Sequence, residues 1–206
     1  MNHPWLSIPW QDYEQHMADP SVGQLQLLSR ITKNLLDEYK PASLAILGIG
    51  TGNGLEHVSP EITPVVYGID INPQYLEIVQ QRYAAKMPGL QLITSDLNRE
   101  DIPFDNADLV IAGLIFEYLD PQKAVEKIAR CIGPSGIIAS ITQKTGKSTF
   151  VSPTKYESLK NLGAHHKDVD DNMLEQLFKQ HGLTRIHRKQ HPLQSGKLLI
   201  ELLLRR

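Results

Sequence analysis

Cysteine is all but missing: Cys131 is the single one in the chain. That excludes internal disulfides and a multi-cysteine zinc site, and makes a reducing cytoplasm the expected compartment. No apolar run approaches the roughly 20 residues that cross a bilayer. The segment Met1–Trp10 lacks the basic start and apolar stretch of a signal peptide. Positive charge is not in excess, the formal net charge being −2, so a general electrostatic grip on nucleic acid is not expected. A local basic patch remains around Arg185, Arg188 and Lys189. Internal repeats, low-complexity tracts and Gly/Ser linkers are also lacking. What is present, 206 residues with 41% hydrophobic and 21% charged, is the size and balance of one globular domain with a full core.

An aromatic leader, Trp5 to Met17, precedes a helical stretch from about Val22 to Glu38, where Leu25, Leu28, Ile31 and Leu35 recur at helical spacing. Beyond Lys40-Pro41 short apolar runs alternate with amphipathic segments, as in strand–helix–strand crossovers of a mainly parallel sheet. The runs are Leu44–Ile49, Val65–Ile69, Leu90–Thr94, Leu109–Ala112 and Ile137–Ile141. Asn72-Pro73 and Asp120-Pro121 each place a capping side chain before a proline at the first helical position, where the missing N–H does no harm. The tail reads as a helix from Asp171 to His181 and two runs, Leu183–Lys189 and Leu198–Leu204. The short turn between those runs permits only an antiparallel pair. The last run is apolar on both faces except for Glu201, which predicts an interior strand.

The segment Leu44-Ala45-Ile46-Leu47-Gly48-Ile49-Gly50-Thr51-Gly52-Asn53-Gly54 follows a strand and is expected to open a helix, the setting of a nucleotide-binding turn. Glycines there allow positive φ and close backbone approach to a ligand. A dinucleotide fingerprint needs G-x-G-x-x-G. Counted from Gly48 the third place holds Asn53, and counted from Gly50 it holds Leu55, so neither register fits. Asp70 ends the second run at the offset expected of a carboxylate that accepts ribose hydroxyls. Asp96 and Leu97 end the third, and Ala112-Gly113-Leu114 the fourth.

The alternate-glycine loop, with Asp70, Asp96 and the fourth run following in that order, resembles the class I (Rossmann-like) S-adenosylmethionine-dependent methyltransferase family over roughly Pro41 to Ile141. The resemblance implies an α/β fold: a Rossmann-like three-layer sandwich on a mainly parallel seven-stranded sheet, with an antiparallel C-terminal strand and an N-terminal helical lid. It divides the chain into a leader or lid (1–40) and a cofactor-binding methyltransferase domain (41–206). S-adenosyl-L-methionine is the implied cofactor, leaving as S-adenosyl-L-homocysteine. Gly48, Ile49, Gly50 and Gly52 would pass beneath its amino-acid and ribose portions. Asp70 and Ile71 would meet the ribose, Asp96 and Leu97 the adenine, and Ala112, Gly113 and Leu114 the region of the methyl group. The family usually carries an acid two places before the first glycine; here that place is Ile46, so the methionine ammonium falls to backbone carbonyls or to another carboxylate.

Methyl transfer is an in-line displacement at a carbon activated by a sulfonium, so alignment and water exclusion come first. A base is needed only where the acceptor must lose a proton. The catalytic candidates are Glu117, Tyr118, Tyr13 and His16, with His165, His166 and His191 behind them. No metal site is expected, since His165-His166 are adjacent and have no third ligand nearby. Two segments could cover the acceptor: the leader, which is favoured, and the long insertion Gln143–Asp168, with a short helix around Tyr156–Leu162. An Asn/Asp-Pro-Pro-Tyr/Phe motif is missing after the fourth run, and Arg130, not proline, precedes Cys131. Nucleic acid is therefore disfavoured, a membrane is not expected, and a small-molecule acceptor is the default, with protein side chains still open. Two competing readings are a non-catalytic cofactor-binding or interaction protein and, disfavoured by the loop spacing, a nicotinamide-dependent oxidoreductase.

Overall fold

The structure, a computed structural model, describes residues 3–146 and 148–206. Seven strands form one sheet: β1 (Ser43–Leu47), β2 (Val65–Asp70), β3 (Leu90–Thr94), β4 (Ala107–Gly113), β5 (Ile132–Lys144), β6 (Thr184–Pro192) and β7 (Leu198–Arg205). Their order is β3-β2-β1-β4-β5-β7-β6. β1 to β5 pair in parallel, and β7 runs antiparallel to both neighbours. The near-uniform apolarity of Leu198–Leu204 is explained by this place: β7 lies between β5 and β6 and is buried on both faces.

Helices α1 (Trp10–Ala18), α2 (Gln24–Tyr39), α3 (Pro73–Tyr83), α4 (Pro121–Cys131) and α5 (Asp171–Gln180) complete the chain. Alternation along the strands divides the core into two layers. Leu44, Ile46, Leu109 and Ile111 meet Leu27, Ile31 and Leu35 of α2 and Leu76 and Val79 of α3. Ala45, Leu47, Val110 and Ala112 meet Val125 and Ile128 of α4 and Leu174 and Phe178 of α5. The two expected caps form: Asn72 Oδ1 accepts from the Gln74 N–H at 3.0 Å, and Asp120 Oδ1 from the Gln122 N–H at 3.1 Å.

One expectation fails. The glycine segment does not open an α-helix; a single 3-10 turn, Leu55–His57, follows it. Gly48, Gly50, Gly52 and Gly54 all have positive φ, which consumes the connection before Pro60 and Pro64 break it again. Packing on this side of β1 comes instead from α2, whose contribution to the core is made by Leu27, Ile31, Leu35 and Leu36. The insertion after β5 contains a 3-10 helix, Glu157–Ala164, where a short helix was expected.

Candidate functional site

In open α/β sheets, ligands bind beyond the carboxyl ends of the strands, where the strand order reverses. Here the reversal lies between β1 and β4, and the main cavity opens there, lined by residues from the ends of β1 to β5 and from the leader. The floor is the glycine turn. The N–H groups of Gly48 and Ile49 donate to the Ile69 carbonyl at 2.8 and 2.9 Å, tying the turn to the end of β2.

Asp70 is the hub of this floor. Its Oδ2 accepts from the Gly50 N–H at 2.8 Å and its Oδ1 from the Asn72 N–H at 2.9 Å. Each carboxylate oxygen keeps a further lone pair for a ligand hydroxyl. Burial raises the carboxyl to about 6, against the pull of the backbone N–H donors. Gly50 is close-packed from above: a Cβ there would lie 2.9 Å from the Tyr13 hydroxyl oxygen. Tyr13 stacks on Tyr75 with centroids 5.4 Å apart and meets the edge of Trp5 at 5.8 Å.

The leader is fastened down over this floor. Asn72, already the cap of α3, donates from Nδ2 to the Trp5 carbonyl at 2.9 Å, and the Tyr75 hydroxyl donates to the Ile8 carbonyl at 3.1 Å. Glu14 of α1 pairs with Arg82 of α3. The insertion joins the same roof: Ser158 Oγ donates to Asp12 at 2.6 Å, Tyr156 to Gln15 at 2.9 Å, and Thr154 Oγ1 meets His16 Nδ1 at 2.9 Å. Ile8, Leu159 and Leu162 form a small apolar cluster beneath these bonds. The two candidate covers are thus one structure, not alternatives.

Of the residues expected at the cofactor, Gly48, Ile49, Gly50, Asp70, Ile71, Asp96, Leu97, Gly113 and Leu114 line the cavity. Gly52 and Ala112 do not. Gly52 lines a separate cleft outside the turn, and a Cβ on it would strike the Tyr83 ring at 2.9 Å. Ala112 points by strand alternation into the α4 layer, next to residues such as Val125. Ile46 lines the cavity, as do Asp70 and Asp96, the two acids among its lining residues.

Tyr13, His16 and Tyr118 also line the cavity, but Glu117 does not. Glu117 is fully buried beneath it, with Oε1 accepting from the Gln143 N–H at 2.6 Å. Burial raises its carboxyl to about 7. His16 is buried, and burial together with the charge of Lys197 holds its imidazole below the ordinary histidine value. His165 is exposed, His166 stacks on Phe150 at 3.8 Å, and His191 pairs with Glu201 at 2.6 Å. Among the described residues no group of three His, Cys, Asp or Glu could hold a metal ion.

Several lining residues carry no motif that could have revealed them. Gln24 and Gln143 meet across 119 residues of sequence, Gln24 Nε2 donating to Gln143 Oε1 at 2.5 Å. Asn98 couples the β3 and β4 loops, donating to the Tyr118 carbonyl at 3.0 Å and accepting from the Asp120 N–H at 2.9 Å. Within the suspected basic patch at Arg185, Arg188 and Lys189, Arg185 pairs with Glu175 and Arg188 with Asp171, each at 2.8 Å.

Comparison with known proteins agrees with this geometry. Residues 46–140 match the family described as "Methyltransferase domain". A curated relative, the O-methyltransferase cnsE of Penicillium expansum, is 26% identical over 132 residues, 61% of this chain and 46% of its own length. The chain thus spans about half the length of that relative. The N-methyltransferase NodS of Bradyrhizobium japonicum WM9, solved with S-adenosyl-L-homocysteine, superposes with a TM-score of 0.69 at 15% identity, covering 96% of this chain and 97% of NodS. Geranyl diphosphate C-methyltransferase of Streptomyces coelicolor A3(2) gives 0.67 at 13% identity, covering 86% and 77%. The cyclase SpnF gives 0.68 at 13%, covering 88% and 82%. Over its central strands, residues 46–140, the chain is similar to that methyltransferase-domain family, and its sheet order around the glycine turn is a fold it shares with NodS.

Proposed function

We propose that the chain is an enzyme that transfers the methyl group of S-adenosyl-L-methionine to a small, mainly apolar acceptor. The observation that carries this reading is the convergence of Gly48–Gly50, Asp70 and Asp96-Leu97 on one cavity at the β1/β4 reversal. Fold alone would not suffice, since a cyclase shares it. In this reading the Asp70 carboxylate accepts the two ribose hydroxyls, Asp96 and Leu97 receive the adenine, and Gly113 and Leu114 flank the methyl group. With Ile46 where the family has an acid, and both lining acids so engaged, main-chain carbonyls of the turn hold the methionine ammonium.

The acceptor lies against β4, β5 and the roof, between Met17, Leu28, Tyr118, Phe150 and Leu159. Such a wall desolvates the reacting atoms and favours an apolar body. Residues 4–18 and the insertion act together as the lid, which must lift for ligands to enter and leave. For a hydroxyl acceptor His16 is the base. With Nδ1–H donated to Thr154 Oγ1, its Nε2 lone pair is free, and its lowered proton affinity keeps the ring neutral at pH 7. Tyr13 and Tyr118 act by positioning. A reducing compartment such as the cytoplasm suits the one thiol, Cys131, which burial pushes up to about 12.

The test is calorimetry with S-adenosyl-L-homocysteine and NAD, followed by a panel of small hydroxyl, amine and acid acceptors with labelled S-adenosyl-L-methionine. Binding of the homocysteine product and labelled acceptor are expected. Binding of NAD alone would defeat the cofactor assignment; tight cofactor binding with no turnover on any acceptor would favour the non-catalytic reading.

A further inference from the structure

The acceptor side of the cavity holds a pair of amides whose orientation is settled by the chain around them. Gln143, near the end of β5, and Gln24, at the start of α2, are both buried and both line the cavity. Gln143 Nε2 donates to the Phe150 carbonyl at 3.0 Å, and the same carbonyl takes a second bond from the buried Lys197 Nζ at 2.5 Å. A carbonyl can only accept, so Gln143 must turn its NH2 group to it and its oxygen away. That oxygen accepts from Gln24 Nε2 at 2.5 Å. Gln24 therefore presents its own NH2 group to Gln143, and its Oε1 is the free end of the relay.

Among the described residues no donor reaches Gln24 Oε1. Nor is it one of the sealed polar atoms that lack a partner; it is left open to the cavity that Gln24 lines. Two further polar groups line the same space. His16, with Nδ1–H given to Thr154 Oγ1, offers Nε2 as an acceptor. The Tyr118 hydroxyl can donate or accept, so Gln24 is the amide whose sense is fixed. Around it the wall is apolar, made by Met17, Leu28, Phe150 and Leu159. A ligand group with no hydrogen to give leaves this desolvated oxygen unpaired. A carboxylate fares worse, because its own oxygens then stand against two acceptors.

We infer that Gln24 is a specificity-determining residue, its Oε1 accepting a hydrogen bond from a hydroxyl or amino group on the methyl acceptor. The substrate class is then an apolar alcohol, phenol or amine, and not a carboxylic acid or an ether. Gln143 is a positioning residue, which acts by holding Gln24 in the accepting sense. This deepens, and rests on, the reading of the cavity as a cofactor and acceptor site.

The experiment is calorimetry on the full chain saturated with S-adenosyl-L-homocysteine, using the matched probes phenol and anisole, aniline and N,N-dimethylaniline, with benzoate as the acid. At least one donor probe is expected to bind roughly tenfold or more tightly than its methylated partner, and more tightly than benzoate; the two pairs tell hydroxyl from amine. Gln24→Leu keeps a side chain of similar bulk without the acceptor oxygen. It should bring the ratio of donor to methylated probe close to one, whereas a merely structural role for Gln24 would weaken both probes alike and leave the ratio unchanged. Gln143→Leu frees the Gln24 amide to turn over, so the methylated probe should gain and the ratio should fall about threefold or more. Equal binding within both pairs, binding of none of the probes, tighter binding of benzoate, or a ratio that survives in Gln24→Leu overturns the proposal. If Gln24→Leu does not fold, an unchanged ratio in Gln143→Leu overturns it. Failure of the homocysteine product to bind would instead strike at the cofactor reading.

Discussion

The substitution Asp70→Asn should separate stability from binding. The Asp70 carboxyl has an ordinary value of 3.8, which the fold raises to about 6. Below pH 3.8 it is protonated in both folded and unfolded chains. Between 3.8 and about 6 the folded protein keeps a proton that the unfolded chain releases, so stability falls as pH rises. Above about 6 the full penalty applies. At about 1.36 kcal/mol per unit it amounts to about 3 kcal/mol. The neutral amide introduced by Asp70→Asn carries no such penalty. It does turn its NH2 group toward an N–H that the carboxylate had accepted, costing about 1–3 kcal/mol at every pH. The stability difference, variant minus parent, should therefore rise by about 2.4 kcal/mol from pH 4 to pH 7.5, read by urea denaturation of ligand-free protein. Taking the difference cancels Glu117, which titrates in both proteins. Affinity for S-adenosyl-L-homocysteine should move the other way, losing roughly 1.5–3 kcal/mol for each charge-assisted bond to the ribose. A pH-independent stability difference would refute the burial argument, and unchanged calorimetric affinity would refute the ribose assignment.

Glu117→Gln should leave methyl transfer within a few-fold of the parent, because the amide oxygen can still accept from the Gln143 N–H. It should also stabilise the fold at pH 8 by up to about 3 kcal/mol, through removal of a buried charge whose carboxyl sits at about 7. A hundredfold loss of turnover in the folded variant would return Glu117 to the catalytic list. Gly50→Ala places a side chain at φ +56 and against Tyr13. It should lower stability by about 1–2 kcal/mol from the backbone alone, and weaken product binding tenfold or more; an unchanged melting temperature and affinity would count against the packed turn. With a hydroxyl acceptor, His16→Ala should reduce kcat about 10²–10⁴-fold at constant product affinity. The parent's rate should rise with pH through a value below 6.5; a profile rising only above that value would point to another base.

Most of the sheet was legible because strand burial writes itself into sequence. The five apolar runs, the Asn72 and Asp120 caps and the interior place of Leu198–Leu204 each follow from local rules of alternation, capping and burial, and each is where expected. The order glycine turn, Asp70, Asp96 was equally legible, because a nucleotide-like ligand needs positive φ, a carboxylate and a second acid at successive strand ends. Local rules failed where an outcome depended on distant chain. The absence of a helix after Gly54 and the place of α2 beside β1 could not be read from the glycine segment itself. Glu117 reads as a solvent-facing or reactive acid, and only the approach of β5 shows it buried under Gln143. The leader and the insertion were rivals in sequence and are partners in space, through Asp12–Ser158, Gln15–Tyr156 and His16–Thr154. Lys197 in a turn between two strands looks like any exposed lysine; its burial behind Phe150 comes from segments 47 residues apart in the chain. The cavity's glycine turn and its two acids sit at strand ends whose order is fixed along the chain, so sequence could point to them. The apolar side of the same cavity is assembled from α1, α2, β5 and the insertion, so only tertiary structure could decide it.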